Sequence, residues 1–120
     1  MSDIKEIKPL SEWLKFELET NLLDPPEIDV RLSPIYSIAA IDHVDVKGEI
    51  KSMTKMVVET VLESVQEWNL TQNGKPIPID DDMKRKCLLP LLGAKIKGKP
   101  QLLGLALWAY ATNIENFLKN

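Results

Sequence analysis

The chain has 120 residues, of which 44% are apolar and 28% charged, and its formal net charge is −3. This length and composition fit one globular domain with one core and exclude a disordered chain. The longest apolar run, residues 102–111, is far shorter than the ~20 residues of a membrane span, and the first ten residues lack a signal-peptide pattern. We therefore expect a soluble cytoplasmic protein with no membrane partner.

The first predicted elements are two short strands. Apolar and charged side chains alternate along residues 14–18 (LKFEL) and again along residues 28–32 (IDVRL), which is the period of a half-buried strand. Pro25 and Pro26 lie between these runs and cannot donate ladder hydrogen bonds, so they belong in a loop. The sequence therefore predicts an antiparallel hairpin within residues 13–32.

Helical patterns begin after the hairpin. Ser33 followed by Pro34 is a favourable helix start, which predicts a short helix over residues 34–43. The strongest pattern covers residues 49–68, where apolar side chains recur every three or four positions and end on Trp68. This spacing predicts one long amphipathic helix.

Two more helices are predicted in the C-terminal third. Three aspartates suit the N-terminus of a helix over residues 82–89, which Pro90 ends, and a final helix covers residues 100–118. The fold class we predict is mainly α. The predicted organisation is one domain (residues 1–120) with a small two-stranded β-hairpin (residues 13–32) and a helical part (residues 33–120).

Side chains that could catalyse a reaction or bind a metal are few. His43 and Cys87 are the only residues of their types, which is a poor start for a zinc site. The aspartates at residues 80–82 lack the spacing of a calcium loop, and the glutamates at residues 59–67 have no Glu-x-x-His companion. Because no nucleophile, base and orienting group form a constellation, we expect no enzymatic activity, no cofactor and no metal.

The net charge conceals a division along the chain. Residues 1–82 hold 17 acids and 8 bases, a net −9, whereas residues 83–120 hold one acid and seven bases, a net +6. Two solvated faces of opposite sign would explain this division, and so would contact between the basic end of one copy and the acidic end of another. A nucleic-acid footprint is the weakest alternative, because the pI is near 5.2 and no aromatic residues interleave with the lysines.

The segment EWNLTQNGKPIPID, residues 67–80, is the most distinctive in the chain. Its tryptophan can anchor the extended part, and its indole N–H needs an acceptor that the carbonyls of this segment can supply. An Asn-Gly pair favours a tight turn. The residues expected to act as structural anchors are Trp68, Gly74, Pro76, Ile77 and Ile79.

This segment resembles the tail assembly chaperones of siphophages and related prophages, in which a helix commonly ends in a W-[ND]-[LF]-T pattern followed by a Gly-Lys-Pro-type turn. The matching residues are Trp68, Asn69, Leu70, Thr71, Gly74, Lys75, Pro76, Ile77, Pro78 and Ile79. The N-terminal strands are similar to those of the same family at Trp13, Phe16, Ile28, Val30, Leu32 and Pro34. The resemblance covers most of residues 13–90, and its motifs are short.

The resemblance implies a non-catalytic protein that coats the tape-measure protein, recruits tail-tube subunits during virion morphogenesis and is absent from the mature virion. No nucleic-acid partner is expected, because the pI is near 5.2. The alternative left open is a bacterial regulatory or adaptor domain that binds one protein partner or homodimerises, which an exposed apolar final helix would suit equally well.

Self-association is also expected, because the apolar side chains of residues 102–110 spread around a helix axis and cannot all face one small core. The side of this helix that does not face the core should be buried against another copy or a partner. The candidate protein-contact residues are Leu102, Leu105, Trp108, Tyr110, Lys84, Arg85, Lys95 and Lys97.

Overall fold

An antiparallel sheet of four strands is the framework of the molecule. The computed structural model describes residues 10–35 and 50–118, with side chains from residue 54 onward in the second range. The strand order across the sheet is β3-β2-β1-β6, and β4 pairs with β5 in a separate hairpin. The strands are β1 (Leu14–Glu19), β2 (Glu27–Leu32), β3 (Val65–Trp68), β4 (Thr71–Gln72), β5 (Lys75–Pro76) and β6 (Lys95–Ile96).

The helices of the described residues are α1 (Ile50–Ser64), α2 (Asp81–Met83), α3 (Leu103–Ala111) and α4 (Glu115–Leu118). A π-helical turn (Lys84–Leu88) and a 3-10 turn (Leu89–Leu91) continue α2 towards β6. Within the described ranges, every helix is too short or too polar to cross a bilayer.

The two strands predicted from alternation form, and they pair with each other. Leu14 lies opposite Val30 and Phe16 lies opposite Ile28 in an antiparallel register. Ile28 and Val30 are completely buried, whereas the charged residues between the apolar positions of β1 are exposed. One face of the hairpin therefore packs on the core and the other is solvated, as is common in antiparallel sheets.

The prediction of a mainly α fold is wrong, because the described chain is a mixed α/β fold. Besides the hairpin, the sheet recruits β3 and β6 from the part of the sequence that we expected to be helical. The segment Val65–Trp68, which apolar spacing assigned to the end of a helix, is the edge strand β3. The helix predicted over residues 34–43 lies almost entirely outside the described residues.

A β-bulge explains why β3 looked helical. The pairing register between β2 and β3 shifts by one residue between Arg31 and Leu32, so that Gln66 is an extra residue in β3. The bulge lets Val65 and Trp68, three positions apart, both turn into the core, where each is buried. A spacing of three, which usually indicates a helix, here comes from a strand with one residue inserted.

Ser64 marks the change from α1 to β3. Its backbone carbonyl accepts a hydrogen bond from the Ser33 amide at 2.8 Å, and its hydroxyl donates to the Ser33 carbonyl at 2.5 Å. These two bonds tie the end of α1 to the chain just beyond β2. The chain leaving α1 is therefore aligned to continue the sheet beside β2.

The C-terminal helices are also shorter than expected. The helix predicted over residues 82–89 is the short α2 followed by π and 3-10 turns, and the helix predicted over residues 100–118 is divided into α3 and α4. The C-cap of α3 is Thr112, whose hydroxyl donates to the Trp108 carbonyl at 2.8 Å. This side-chain bond competes with continued helix formation and accompanies the break.

One apolar core joins the inner face of the sheet to α1, the turns after α2, and the two C-terminal helices. Helix α3 packs against α1 and passes so close to Leu92 that a Cβ added at Gly104 would lie 3.1 Å from the Leu92 carbonyl oxygen. The buried apolar residues of this core include Leu18, Ile28, Val30, Leu32, Val61, Leu62, Val65, Trp68, Leu88, Leu91, Ile96, Leu103, Leu107 and Phe117.

Candidate protein-interaction face

Helix α3 has two apolar sides with different environments. Leu103, Gly104, Leu107 and Ala111 are buried, and they recur at the three- and four-residue intervals of one helix face. The opposite side carries Leu105 and Ala109, and the N-cap residue Leu102 continues it; all three are exposed, Leu102 at 41% and Leu105 at 46%. We call these three residues the outer face of α3. The sequence-based expectation that this helix exposes a second apolar side is confirmed for Leu102 and Leu105.

The N-terminal end of the outer face is fixed by strand-like pairing. Leu102 is in extended backbone conformation and lies opposite Lys95 in an antiparallel bridge. Hydrogen bonds of 2.9 Å on either side, from the Ile96 amide to the Gln101 carbonyl and from the Leu103 amide to the Ala94 carbonyl, hold this pairing. Lys95 is exposed and therefore lies beside Leu102 at the surface.

The C-terminal end of α3 is held by α4. The Tyr110 and Phe117 rings pack edge to face with their centroids 5.5 Å apart, and the Asn116 side-chain amide donates to the Tyr110 carbonyl at 3.1 Å. Ile114 and Leu118 remain exposed on this segment, at 37% and 67%. The outer face therefore belongs to a helix whose two ends are both held by contacts within the chain.

Two predicted contact residues, Trp108 and Tyr110, are less available than expected. Both are half-buried and pack against the core. The Trp108 indole nitrogen is buried and has no hydrogen-bond partner among the described residues. Burial, with a smaller contribution from Glu12, raises the pKa of Tyr110. Their contribution to a surface is thus limited to the part of each ring that remains accessible.

Two of the four basic contact candidates, Lys84 and Arg85, lie in the π-helical turn after α2. Lys84 is buried in the π-helical turn, and desolvation lowers its pKa against the opposing influence of Asp81 and Glu63. Arg85 is exposed, and one of its guanidinium nitrogens donates to both carboxylate oxygens of Glu59, at 2.8 and 3.1 Å. This ion pair raises the pKa of Arg85. These two side chains are engaged within the chain and do not extend the outer face of α3.

The other two basic candidates lie at the sheet edge. Lys97 is 3.8 Å from Glu17, and Lys95 is opposite Glu19 in the ladder between β1 and β6. Part of the charge division along the sequence is therefore satisfied inside one molecule. Such exposed pairs contribute little to stability, so these lysines stay free to interact with a partner.

The anchors predicted in residues 67–80 are found in structural roles. The Trp68 indole donates to the Ile77 carbonyl at 2.8 Å, and the Trp68 side chain is buried. Gly74 closes the turn between β4 and β5 with a φ of +77°, a conformation that favours glycine. Ile77 and Ile79 are half-buried against the core, whereas Pro76 is exposed in β5.

Trp13 and Arg31 form an exposed pair that was not predicted from the sequence. Trp13 is 45% exposed, and the Arg31 guanidinium lies 5.9 Å from the centre of its ring. Arg31 also donates to the Ser11 carbonyl at 2.9 Å and is 3.7 Å from Glu67. The alternation of β1 was the available signal, since it places Trp13 on the same side as Lys15, away from the core.

The described residues form open depressions at the surface. One open depression of about 300 Å³ lies beside the β4–β5 hairpin, and another of about 340 Å³ lies on β1 and β2. Within the described residues, no three His, Cys, Asp or Glu side chains are grouped so that they could hold a metal ion. Cys87 is half-buried, and His43 lies outside the described residues.

Comparisons with protein-family models, with curated proteins and with solved structures found no match. The geometry of the outer face of α3, together with the sequence resemblance over residues 13–90, is therefore the basis for a functional proposal.

Proposed function

We propose that this chain is a non-catalytic phage tail assembly chaperone, which binds the tape-measure protein and tail-tube subunits in the cytoplasm of the host and is absent from the mature virion. The proposal is supported by the resemblance at the Trp68 segment and the N-terminal strands. It is also supported by an apolar face on an anchored helix, which is suited to binding another protein.

The exposed outer face of α3 is the observation that carries the proposal. A helix whose buried side already fills the core has no internal use for Leu102 and Leu105, which are 41% and 46% exposed. A tape-measure protein is a long helix with apolar stripes, and such a stripe must be covered before the tail is assembled. Side-by-side packing of helices through apolar residues is a standard mode of protein recognition.

The dimensions of the face suit reversible binding. Helix α3 has nine residues, which gives a length of about 13 Å. A contact of that length buries much less than the roughly 800 Å² per partner of a stable interface. Several chaperone copies along one tape-measure helix would together provide solubility, while each copy could still be displaced during assembly.

The test is direct binding to fragments of a tape-measure protein from the genome that encodes this chain, measured by calorimetry. Leu105→Glu places a charge in the middle of the outer face and should weaken binding at least about tenfold. Leu22→Glu is the matched control, because Leu22 is also exposed, at 59%, but lies in the loop between β1 and β2. Binding that is absent, or that both variants leave unchanged, would refute the proposal.

The adaptor alternative gives a different result in the same experiment. An adaptor would not bind the tape-measure fragments and would not keep them soluble when the two are produced together. Solubility of the tape-measure protein that depends on the wild-type chain, and that Leu105→Glu removes, would support the chaperone.

A further inference from the structure

We infer that the outer face of α3 also pairs with the same face of a second copy of this chain, with the two α3 helices antiparallel about a two-fold axis. The pairing goes beyond the proposed function, because it requires no phage protein. The sizes of the exposed side chains, the charges at the two ends of α3 and the length of the face support this pairing.

The exposed side chains of α3 complement each other in an antiparallel arrangement. Leu102 and Ala109 lie at opposite ends of the outer face, seven residues apart, or about 10 Å along the helix. An antiparallel pair centred between Leu105 and Ala106 places the large Leu102 of each copy against the small Ala109 of the other. Leu105 then packs near the axis beside the half-buried Ala106. Large residues against small ones allow two helices to approach closely.

The charges at the two ends of α3 favour the same arrangement. Lys95, Lys97 and Lys99 are exposed near its N-terminal end, and residues 95–114 contain no acidic side chain. At the other end, the C-terminal carbonyls of α3 are followed by Glu115, the first acid after Asp82. A parallel pair would bring the lysines of both copies together. An antiparallel pair sets the basic end of each helix against the negative end of the other.

The pairing should be weak, because the face is short. A helix of nine residues with two exposed apolar positions, together with its exposed N-cap residue Leu102, is well below the size of an obligate interface. The dimer would therefore dissociate as the protein is diluted. If the proposed function is correct, the tape-measure helix competes with the second copy for the outer face of α3. In chaperone that is not bound to the tape-measure protein, the second copy then covers the exposed apolar residues.

Disulfide trapping tests the direction of the pairing. Leu102→Cys and Ala109→Cys are made separately in a Cys87→Ser background, which removes the single native thiol. We expect a covalent dimer when the two variants are mixed and oxidised, because residues 102 and 109 face each other. Each variant alone should cross-link much less, since two copies of residue 102 would be beyond the ~7 Å Cα separation that a disulfide bridges. Cross-linking of each variant alone, without enhancement on mixing, would overturn the antiparallel arrangement.

A charge exchange tests the electrostatic part. Lys99 is the suitable lysine, because Lys97 and Lys95 already face Glu17 and Glu19 of their own chain. Lys99→Glu and Glu115→Lys should each weaken the dimer, measured by sedimentation at low salt. The double variant Lys99→Glu/Glu115→Lys should recover most of the association, because the opposite charges are exchanged. Equal dissociation constants for all four proteins would show that these ends do not meet.

The two proposals fail in distinguishable ways. Leu105→Glu should remove the dimer in sedimentation experiments on the isolated protein, while Leu22→Glu should not. A wild-type chain that is monomeric at millimolar concentration but binds tape-measure fragments refutes the pairing and leaves the chaperone. A chain that forms the cross-linked dimer but binds no tape-measure fragment supports the pairing and refutes the chaperone.

Discussion

The molecule carries two tryptophans on its core side, and their surroundings differ. Trp68 is buried at the edge of the sheet, and its indole N–H donates to the Ile77 carbonyl at 2.8 Å. Trp108, on α3, is half-buried, and its buried N–H has no partner among the described residues. Near Trp68 the polar groups are satisfied within the chain. Near Trp108 the same helix leaves a buried donor unpaired and exposes two leucines.

This difference separates stability from binding. A region whose apolar side chains are buried and whose polar groups are hydrogen-bonded within the chain exposes little surface that a partner could bind. Substitutions there should affect folding. In a region with exposed apolar side chains, substitutions should leave the fold intact and affect association with a partner. The following four predictions test that separation, beginning with the largest expected effect.

Trp68→Ala should lower the free energy of unfolding by roughly 3–5 kcal/mol, the range for removing a large buried side chain. The loss should be this large because the variant leaves a cavity next to Val30, its ladder partner in β2, and leaves the Ile77 carbonyl without its donor. Urea denaturation measures the change. A midpoint equal to that of the wild type would show that Trp68 is not part of the stabilising core.

Gly104→Val should lower the free energy of unfolding by about 1–3 kcal/mol, the usual cost of overpacking. A Cβ at this position would be 3.1 Å from the Leu92 carbonyl oxygen and 3.2 Å from the Leu92 Cβ. Gly93→Val is the control, because a Cβ there meets no atom within 4 Å. If both variants unfold at the same urea concentration, α3 does not approach Leu92 as closely as described.

Substitution of each tryptophan by phenylalanine sharpens the comparison. Both changes remove similar volume, but only Trp68→Phe breaks a hydrogen bond, which should cost about 1 kcal/mol more than Trp108→Phe. At Trp108 the change also removes a buried donor that has no partner, which offsets part of the lost packing. Thermal unfolding of the two variants under identical conditions measures the difference. A larger loss for Trp108→Phe would reverse our assignment of the satisfied and unsatisfied sites.

Leu105→Glu should change the free energy of unfolding of the monomer by less than about 0.5 kcal/mol, as is usual for exposed sites. Leu107→Ala, two positions further on the same helix, should cost about 2–5 kcal/mol because Leu107 is completely buried. Measurements at concentrations where the chain is monomeric are needed. Similar losses for both variants would mean that α3 has no free side.

The sequence predicted the elements that depend on local patterns. β1 and β2 were predicted because charged and apolar residues alternate, and because one face of each strand is solvated. The Trp68 anchor was predicted because an indole needs an acceptor and the following extended segment offers carbonyls. The outward-facing leucines of α3 were expected from the width of its apolar band.

The elements that depend on distant partners were not predicted. β6 has only two residues, Lys95 and Ile96, and is a strand because it pairs with the end of β1. β3 carries an inserted residue, which gave it the spacing of a helix. Nothing in the residue types distinguishes Leu103 from Leu105. Which of them is buried depends on the side of α3 that packs on the core, where Leu103 and Gly104 are both buried, whereas Leu105 is exposed.

The bulge at Gln66 also determines where the chain can change in length. Val65 and Trp68 are both buried across a spacing of three, because one residue between them is unpaired. Deleting Gln66 would bring them to a spacing of two, which a regular strand also directs to one face. Deleting Asp29 from β2 would instead move all β2 residues on one side of the deletion to the opposite face of the sheet. Among natural variants of this chain, losses of one residue should therefore occur at Gln66 and be excluded from the middle of β2.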